Sequence, residues 1–425
     1  MAVLALVAVV GAARFGNAFV WDDVPMFVTG DGIYDPASLR IVFVRDSMFV
    51  VDHGAFAARS DLDTYRPVTM ASFILDGMWG GRRPLPFHVT GQLLHLLAVG
   101  LLYALGRRVL SGTARELAWA PALWFGLHPL LVEAHVWING RSDTLAGVFS
   151  LATALVWLGP RGGDGTTPLP WWRAWLAAVL ALAGALSKEV AVLVLLPLVL
   201  WRLDAFSLDG ASIRRRLRST IRDTIPLACA VAVYVAMRIH ALRGPRISGG
   251  GDHLRGAAVR VAYMLLDGLL HSMVPAGTAV RFLQEEYARI PSAWFWGAWM
   301  VVAALVALTL RVRREVPLLP VGVAWFAIAL APATLISMLA WYGFDRYLYV
   351  PLTVLSLGAC AGAGALVDAG RVGPRARRVL GLAFAAYVAC LGLLSVRATL
   401  DWRSSETWYA AMMRDYPEES HGAGG

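Results

Sequence analysis

Apolar runs dominate this chain, and its polar residues gather in the gaps between them. A helix needs roughly 20 apolar residues to cross the hydrocarbon core of a bilayer, so the longer runs read as spans. The first is Met1 to Val20, followed by a long mixed polar and aromatic stretch from Asp22 to Pro86. The later runs are Phe87–Leu105, Leu117–Val132, Thr144–Leu158, Trp171–Leu186, Val190–Trp201 and Ile225–Ile239, then Trp294–Leu310, Leu318–Leu339, Tyr347–Val367 and Val379–Val396. No Lys or Arg precedes Arg14, which favours a first transmembrane anchor over a cleaved signal.

The gaps set the orientation. Basic residues gather at Arg107, Arg108 and Arg115, at Arg161 and Arg173, at Arg214, Arg215, Arg216, Arg218 and Arg222, at Arg311, Arg313 and Arg314, and at Arg371, Arg375, Arg377 and Arg378. The positive-inside rule assigns these loops to the cytoplasm. They alternate with non-basic loops if Val259–Gly277 is an interfacial or re-entrant helix on the outer side; it is apolar but carries Arg260, Asp267 and His271. The expected architecture is an all-α polytopic membrane protein of about eleven transmembrane helices, N-terminus inside and C-terminus outside, with a long first outer loop. Gly249-Gly250-Gly251 reads as a flexible connector in an outer loop.

Composition agrees. Hydrophobic residues make up 58% of the 425 and charged ones 16%, and the mean hydropathy of +0.59 is too high for a soluble domain. The net charge of +9 is accounted for by the cytoplasmic loops, so no nucleic-acid partner is expected. Cys229, Cys360 and Cys390 fall in apolar runs and read as packing residues. There is no P-loop, no GxGxxG and no metal-type cysteine spacing.

By parity, the patterned polar residues collect on the outer face. Asp22 and Asp23 follow the first span directly. Adjacent acids at a membrane exit repel and are partly desolvated, which suits proton handling or cation binding; a solvated helix-end turn is the plainer reading. Tyr65-Arg66-Pro67 lies further along the same loop. His88, Gln92 and His95 share one helix face. The seven-residue spacing of the two histidines, with no third ligand, argues against a metal and for a satisfied polar face. The next outer loop holds Glu133, His135, Asn139, Arg141 and Asp143, of which Arg141 and Asp143 could simply pair. Leu186-Ser187-Lys188-Glu189 interrupts two apolar runs, and Trp341-Tyr342-Gly343-Phe344-Asp345-Arg346-Tyr347 forms another outer junction. Lys188 is the only lysine in the chain. A compact ammonium suits a phosphate in a confined pocket; a Lys188–Glu189 pair ending two helices is the plainer alternative.

Taken together, these segments resemble the polytopic membrane glycosyltransferases of the GT-C type. The nearest resemblance is to the transmembrane O-mannosyltransferases that carry C-terminal tetratricopeptide repeats, and to their bacterial relatives. It rests on Asn17-Ala18-Phe19-Val20-Trp21-Asp22-Asp23, Tyr65-Arg66-Pro67-Val68, and Phe87-His88 with Leu94-His95. His128-Pro129-Leu130-Leu131-Val132-Glu133-Ala134 followed by Gly140-Arg141-Ser142-Asp143-Thr144-Leu145-Ala146 is the most specific block. Leu186-Ser187-Lys188-Glu189 and Asp345-Arg346-Tyr347-Leu348-Tyr349-Val350-Pro351 complete it, in the family's order. The resemblance implies a GT-C-like domain over residues 1–397 with short helices in its first outer loop. Residues 398–425 resemble the lead-in to a repeat array, and no array lies within the sequence. The acceptor, protein or glycan, therefore stays open.

The resemblance further implies inverting transfer of a sugar, mannose, from a polyprenyl-phosphate donor to a hydroxyl such as that of protein Ser or Thr. Such a displacement needs a base for the acceptor proton and positive charge on the leaving phosphate. Asp22 is assigned as base, with Asp23 positioning the acceptor or exchanging roles with it. Arg141, Lys188, Arg346 and Arg66 are assigned to the phosphate. His88, His95, Glu133, Asp143, Glu189 and Tyr347 are assigned to orienting sugar or acceptor. A monophosphate donor has less need of a divalent ion than a diphosphate, so no obligatory metal or cofactor is expected. The arginine bias and the family's bacterial branch suggest a bacterial inner membrane with the site facing the periplasm. The competing readings are a lipid or solute transporter or flippase, which would place polar groups at mid-membrane, and a non-catalytic membrane scaffold.

Overall fold

The computed structural model describes residues 1–52, 64–159, 166–242, 251–274, 292–340 and 345–415. Arg161, Gly249-Gly250, Val274's neighbours at 275–277, Trp341-Tyr342-Gly343-Phe344 and Tyr416-Pro417 lie outside them. All regular structure among the described residues is helical.

Among the described residues, five helices are long and apolar enough to cross a membrane: Pro84–Val109, Gly210–Ala241, Ala293–Arg311, Asp345–Asp368 and Pro374–Asp401. Shorter apolar helices cover Ala2–Gly16, Trp171–Ala185, Val190–Arg202, Val261–Met273 and Leu318–Ala331. The count of about eleven spans is therefore not reproduced. Leu117–Val132 shows why. Its helix runs only over Trp119–Gly126. His128 then adopts an extended conformation, φ −78° and ψ 121°, ahead of Pro129, because a residue before proline is pushed out of the helical region. Hydropathy alone did not register that break. The first run also ends early: the helix stops at Gly11 and a short 3-10 turn, Ala12–Gly16, leads into extended Asn17. Of Val259–Gly277, expected to lie in the interface or re-enter, residues 259–273 belong to a longer helix, Gly251–Met273.

Apolar side chains on the outer faces suit lipid rather than water: on the helix Pro374–Asp401, Leu382 and Leu393 are 72% and 74% exposed. The interior closes through small residues, as expected where lipid offers no hydrophobic drive for helices to associate. Gly126 meets Val7 and Val99, Gly147 meets the ring of Tyr349, and Gly364 meets the backbone of Ala114. Cys360 is buried, while Cys229 and Cys390 are exposed free thiols.

The first outer loop does contain short helices: Val24–Thr29, Gly32–Tyr34, Ser38–Ile41, Ser47–Asp52 and the longer Pro67–Gly80. They share an apolar cluster of Phe27, Ile33, Val50, Met70, Phe73, Ile74 and Phe87. The loop thereby sits as a cap on the start of the helix Pro84–Val109. It is also stitched to the break after Trp171–Ala185, with Val68 N–H donating to Leu186 O (3.1 Å) and the Thr69 hydroxyl to Ser187 O (3.0 Å).

Replacement of Gly364 tests the small-residue packing. A Cβ there would lie 2.5 Å from Ala114 Cβ and 2.6 Å from its backbone nitrogen, and backbone cannot yield as a flexible side chain can. Gly364→Val is expected to destabilise by about 1–3 kcal/mol, read as a lowered thermal midpoint in detergent. An unchanged midpoint would contradict the close approach.

Candidate active site at the first-loop face

Beyond Gly16 the chain runs extended to Val20 and then turns sharply. Trp21 has φ +54°, a left-handed conformation that a bulky residue adopts only when its surroundings compel it. The compulsion is aromatic: its indole stacks between Trp137, with centroids 5.3 Å apart, and Trp408, 4.9 Å apart. The turn sends the adjacent acids in different directions. Asp23 is buried, accepting from Val20 N–H (3.2 Å) and from Asn139 N–H (3.0 Å). Asp22 stays exposed.

Their proton affinities differ accordingly. Burial pushes the Asp23 carboxyl up to about 8, against the pull of its backbone donors, and the neighbouring charge of Asp22 adds to the rise. Asp22 is also raised, by partial desolvation, but the facing guanidinium of Arg346 favours its charged form.

Beside the acid turn lies a chain of ion pairs drawn from distant elements. Asp143 occupies the first turn of the helix Arg141–Trp157, where the helix dipole favours an acid. Both its oxygens accept from Lys188 Nζ at 2.6 Å. Arg346, in the short turn Asp345–Leu348, donates from Nη1 to Glu133 Oε1 (2.6 Å) and from its backbone N–H to Oε2 (3.1 Å). Its Nε lies 3.6 Å from Asp143 Oδ2. Arg66, at the N-cap of Pro67–Gly80, holds Glu189 through Nε (3.4 Å) and Nη2 (3.0 Å). Tyr347 lies under both neighbouring cations, 4.6 Å from Lys188 Nζ and 5.3 Å from the Arg346 guanidinium carbon.

Burial and pairing compete at each group. Burial lowers Lys188 to about 8; Asp143 opposes the shift, and Arg66 and Arg346 reinforce it. Burial would raise Glu189, yet Arg66 and Lys188 outweigh it and hold the carboxyl at about 2. Arg66 is raised, Glu189 outweighing its burial. Glu133 is raised, burial outweighing Arg346.

Arg346 joins the two halves. Its guanidinium carbon sits 4.7 Å from the ring centre of Trp137, which also stacks on Trp21. Asp22, Asp23, Glu133, Asp143, Arg346, Tyr347, Lys188, Arg66 and Glu189 thus form one contiguous site.

Three expected members lie elsewhere. Arg141, expected at the phosphate, is buried away from this chain of ion pairs: it is paired with Asp76 Oδ2 at 2.6 Å, bonded to Phe87 O and Ser72 Oγ, and set over the ring of Phe73. His88 is engaged with Asn17 O at 3.2 Å, bracing the strand that leads to the acids. His95 lies between the Tyr349 hydroxyl (2.9 Å) and Gly126 O (3.1 Å), stacked 3.8 Å from His135. Both histidines are buried supports rather than groups facing a sugar. Neither simple sequence-neighbour pair forms: Asp143 takes Lys188 and Glu189 takes Arg66.

Other members were missed. Trp21, Trp137, Trp402 and Trp408 make the aromatic wall. Arg14, fully buried, donates to Gly11 O (3.0 Å) and His135 O (2.7 Å) and contacts His135 Nδ1 (2.6 Å). An arginine inside an apolar first segment was the available signal, since such a charge is rarely without a task.

Comparison with known proteins gives the same direction as the motifs. No family model matches the chain. Over 208 residues it is 35% identical to the protein O-mannosyl-transferase Tmtc2 of Drosophila melanogaster, a match covering 48% of this chain and 21% of that protein. Over 256 residues it is 23% identical to the protein O-mannosyl-transferase TMTC3 of Mus musculus, covering 56% of this chain and 27% of that one. It is 32% identical over 139 residues to human TMTC1, covering 32% and 15%. The matched region thus spans about a quarter or less of these relatives' length. Among solved structures, ArnT from Cupriavidus metallidurans in the apo state aligns at 17% identity over 84% of this chain and 77% of that one, with a TM-score of 0.30. The chain therefore resembles the O-mannosyltransferases named by its motifs.

The proton held by Asp23 has a measurable consequence. A free aspartate releases its proton near pH ~4, whereas folded Asp23 keeps its own to about 8. Between these values the folded state binds the extra proton, so this group's contribution to stability is greatest at low pH and declines as pH rises towards 8. The limiting slope is about 1.4 kcal/mol per pH unit. The thermal midpoint of wild type is expected to fall more steeply from pH 6.5 to pH 8 than that of Asp23→Asn, other titrations cancelling in the comparison. Parallel curves would show that Asp23 is ionised throughout.

Proposed function

We propose that this chain is the membrane-embedded catalytic part of an inverting glycosyltransferase. It moves a sugar, mannose, from a polyprenyl-phosphate donor to a hydroxyl acceptor, protein Ser or Thr being the candidate that the relatives' names suggest. The carrying observation is Arg346, which is bonded to Glu133, lies 3.6 Å from Asp143 within the cationic chain of Lys188 and Arg66, and acts through its charge on the exposed acid Asp22. A base and a leaving-group clamp are thereby within one site.

The balanced step is a displacement at the anomeric carbon. The acceptor oxygen forms the new bond as its proton passes to Asp22, and the bond from carbon to phosphate oxygen breaks with its electron pair going to the phosphate. Asp22 fits the base better than Asp23: it is exposed, and the charge of Arg346 opposes the rise that desolvation gives its carboxyl, whereas Asp23 is buried, raised to about 8 and spent on the amides of Val20 and Asn139. Negative charge builds on the leaving phosphate, where preorganised cations count most. Arg66 is the most accessible of them, its side chain 27% exposed beside Glu189 at 35%. Each cation already has a carboxylate partner, so the empty site is near neutrality. A bound phosphate would share these donors with Asp143, Glu133 and Glu189, which lie ready to retake them as it leaves.

We place the site on the outer, periplasmic side of a bacterial inner membrane. The helix Tyr349–Asp368 leaves the site beside Arg346 and ends next to the Arg371–Arg378 loop. Its length of about 30 Å matches one bilayer crossing, so the basic loop and the site face opposite sides. The positive-inside rule gives the basic side to the cytoplasm. A transporter would carry its polar groups at mid-span; here Asp143, Lys188 and Arg346 stand at helix ends and breaks. We propose no obligatory metal, since a monophosphate leaving group has less need of a divalent ion than a diphosphate and the cations Arg66, Lys188 and Arg346 stand at the site.

A transfer assay with lipid-phosphate sugars in nanodiscs tests the scheme. Asp22→Asn should cut kcat by about a hundredfold or more with membrane insertion intact; near wild-type turnover would remove Asp22 from the base role. Lys188→Ala should weaken donor binding more than acceptor binding, and unchanged donor affinity would leave Lys188 only as the partner of Asp143. EDTA should leave turnover unaltered, whereas a loss reversed by added magnesium would overturn the metal-free scheme.

A further inference from the structure

Residues far along the chain close over the acid turn. The Asn17 side-chain amide donates to Thr399 O (3.0 Å), Ala18 N–H to Arg403 O (2.9 Å) and Trp21 N–H to Ser405 Oγ (3.4 Å). Trp402 stacks on Trp137 at 5.5 Å, and Trp408 stacks on Trp21 at 4.9 Å. The helix Ser405–Asp415 that carries Trp408 is otherwise lightly anchored. Its buried residues are Trp408 and Ala411, while Tyr409 and Met413 are 52% and 59% exposed. Arg414 ties it back to Asp401 at 3.3 Å.

Trp21 is strained, and its strained backbone directly precedes the acids. Its indole stacks on both Trp137 and Trp408, which hold it in that conformation. Remove Trp408 and one wall is lost, together with the seat of the Ser405 hydroxyl. Trp21 can then return to an ordinary backbone conformation, and such a change at one residue swings the next carboxylate by more than a catalytic base tolerates.

We propose that the segment Thr399–Trp408 is the positioning element of the site, with Trp408 the residue that fixes where Asp22 points. This rests on the reading of Asp22 as base, but its structural half stands without it. Displacement of the Ser405–Asp415 helix is transmitted to the acid turn through the Trp408 stack on Trp21 and the Ser405 hydroxyl on the Trp21 amide.

Hydrogen exchange and kinetics on the full chain in nanodiscs separate the two halves. In Trp408→Ala the amides of residues 17–23 should exchange about tenfold faster or more, with the helix Pro84–Val109 unchanged. Its kcat should fall by roughly tenfold or more while donor affinity holds, and Trp408→Phe, which keeps a stacking ring, should recover most of both. Unchanged exchange over residues 17–23 overturns the proposal whatever the activity. Faster exchange throughout the chain, or equal losses of kcat and donor binding, also overturns it, because Trp408 would then serve only general stability. If Asp22→Asn retains turnover but Trp408→Ala still loosens the turn, the base assignment fails and the positioning contact survives.

Discussion

Charge buried where water is scarce must be paired, and that constraint organises this protein. Arg66, Lys188 and Arg346 take their partners from separate elements: Glu189 from a helix break, Asp143 from a helix start, Glu133 from a one-turn helix. Each pair therefore joins two pieces of chain that packing alone would let slide. Removing one partner strands the other, at a cost of about 3–5 kcal/mol for a buried pair. The same pairing leaves the cations fixed and ready, which is the condition for electrostatic stabilisation of a leaving group.

Much of the site could be read in the sequence, but its wiring could not. The isolated lysine, the acid pair and the Asp345-Arg346-Tyr347 block all stand out against an apolar, arginine-only background, and all meet in space. Their partners were misjudged wherever sequence proximity was taken for contact. Arg141 and Asp143 are two residues apart at the start of one helix, so their side chains leave it in different directions. One reaches Asp76 and the other Lys188. His88 and His95 share a helix face as read, yet that face turns inward, and burial satisfies them with backbone and Tyr349 oxygens. The count of about eleven spans is not confirmed among the described residues, and one boundary shows a related reason. Hydropathy sums apolar residues and is blind to the point at which Pro129 ends a helix.

Asp22 and Asp23 show how little of a residue's chemistry its identity decides. They are the same residue, adjacent in sequence, and one strained backbone step separates their environments. Asp23 is turned inward, its oxygens consumed by amides of Val20 and Asn139, and its proton is retained to about pH 8. Asp22 is exposed, and the charge of Arg346 opposes the rise that partial desolvation gives its carboxyl. Two carboxyls set apart by environment, one buried on backbone amides and one exposed, are what a site needs when one must hold geometry and the other must take a proton. The first is useful because it is not free to react.

The strain at Trp21 also constrains how the site is assembled. Trp21 and Ser405 are 384 residues apart in sequence and bonded in the fold. Trp408 stacks on Trp21 and Trp402 on Trp137, so the acid turn is held by residues near 400, whereas the ion pairs join residues 66 to 346. The acid half of the site thus leans on a segment that these ion pairs do not use. A long-range contact on a strained residue is a sensitive point of such a structure. That asymmetry follows from chain order and one dihedral angle, and it places control of the acid on the segment farthest from it in sequence.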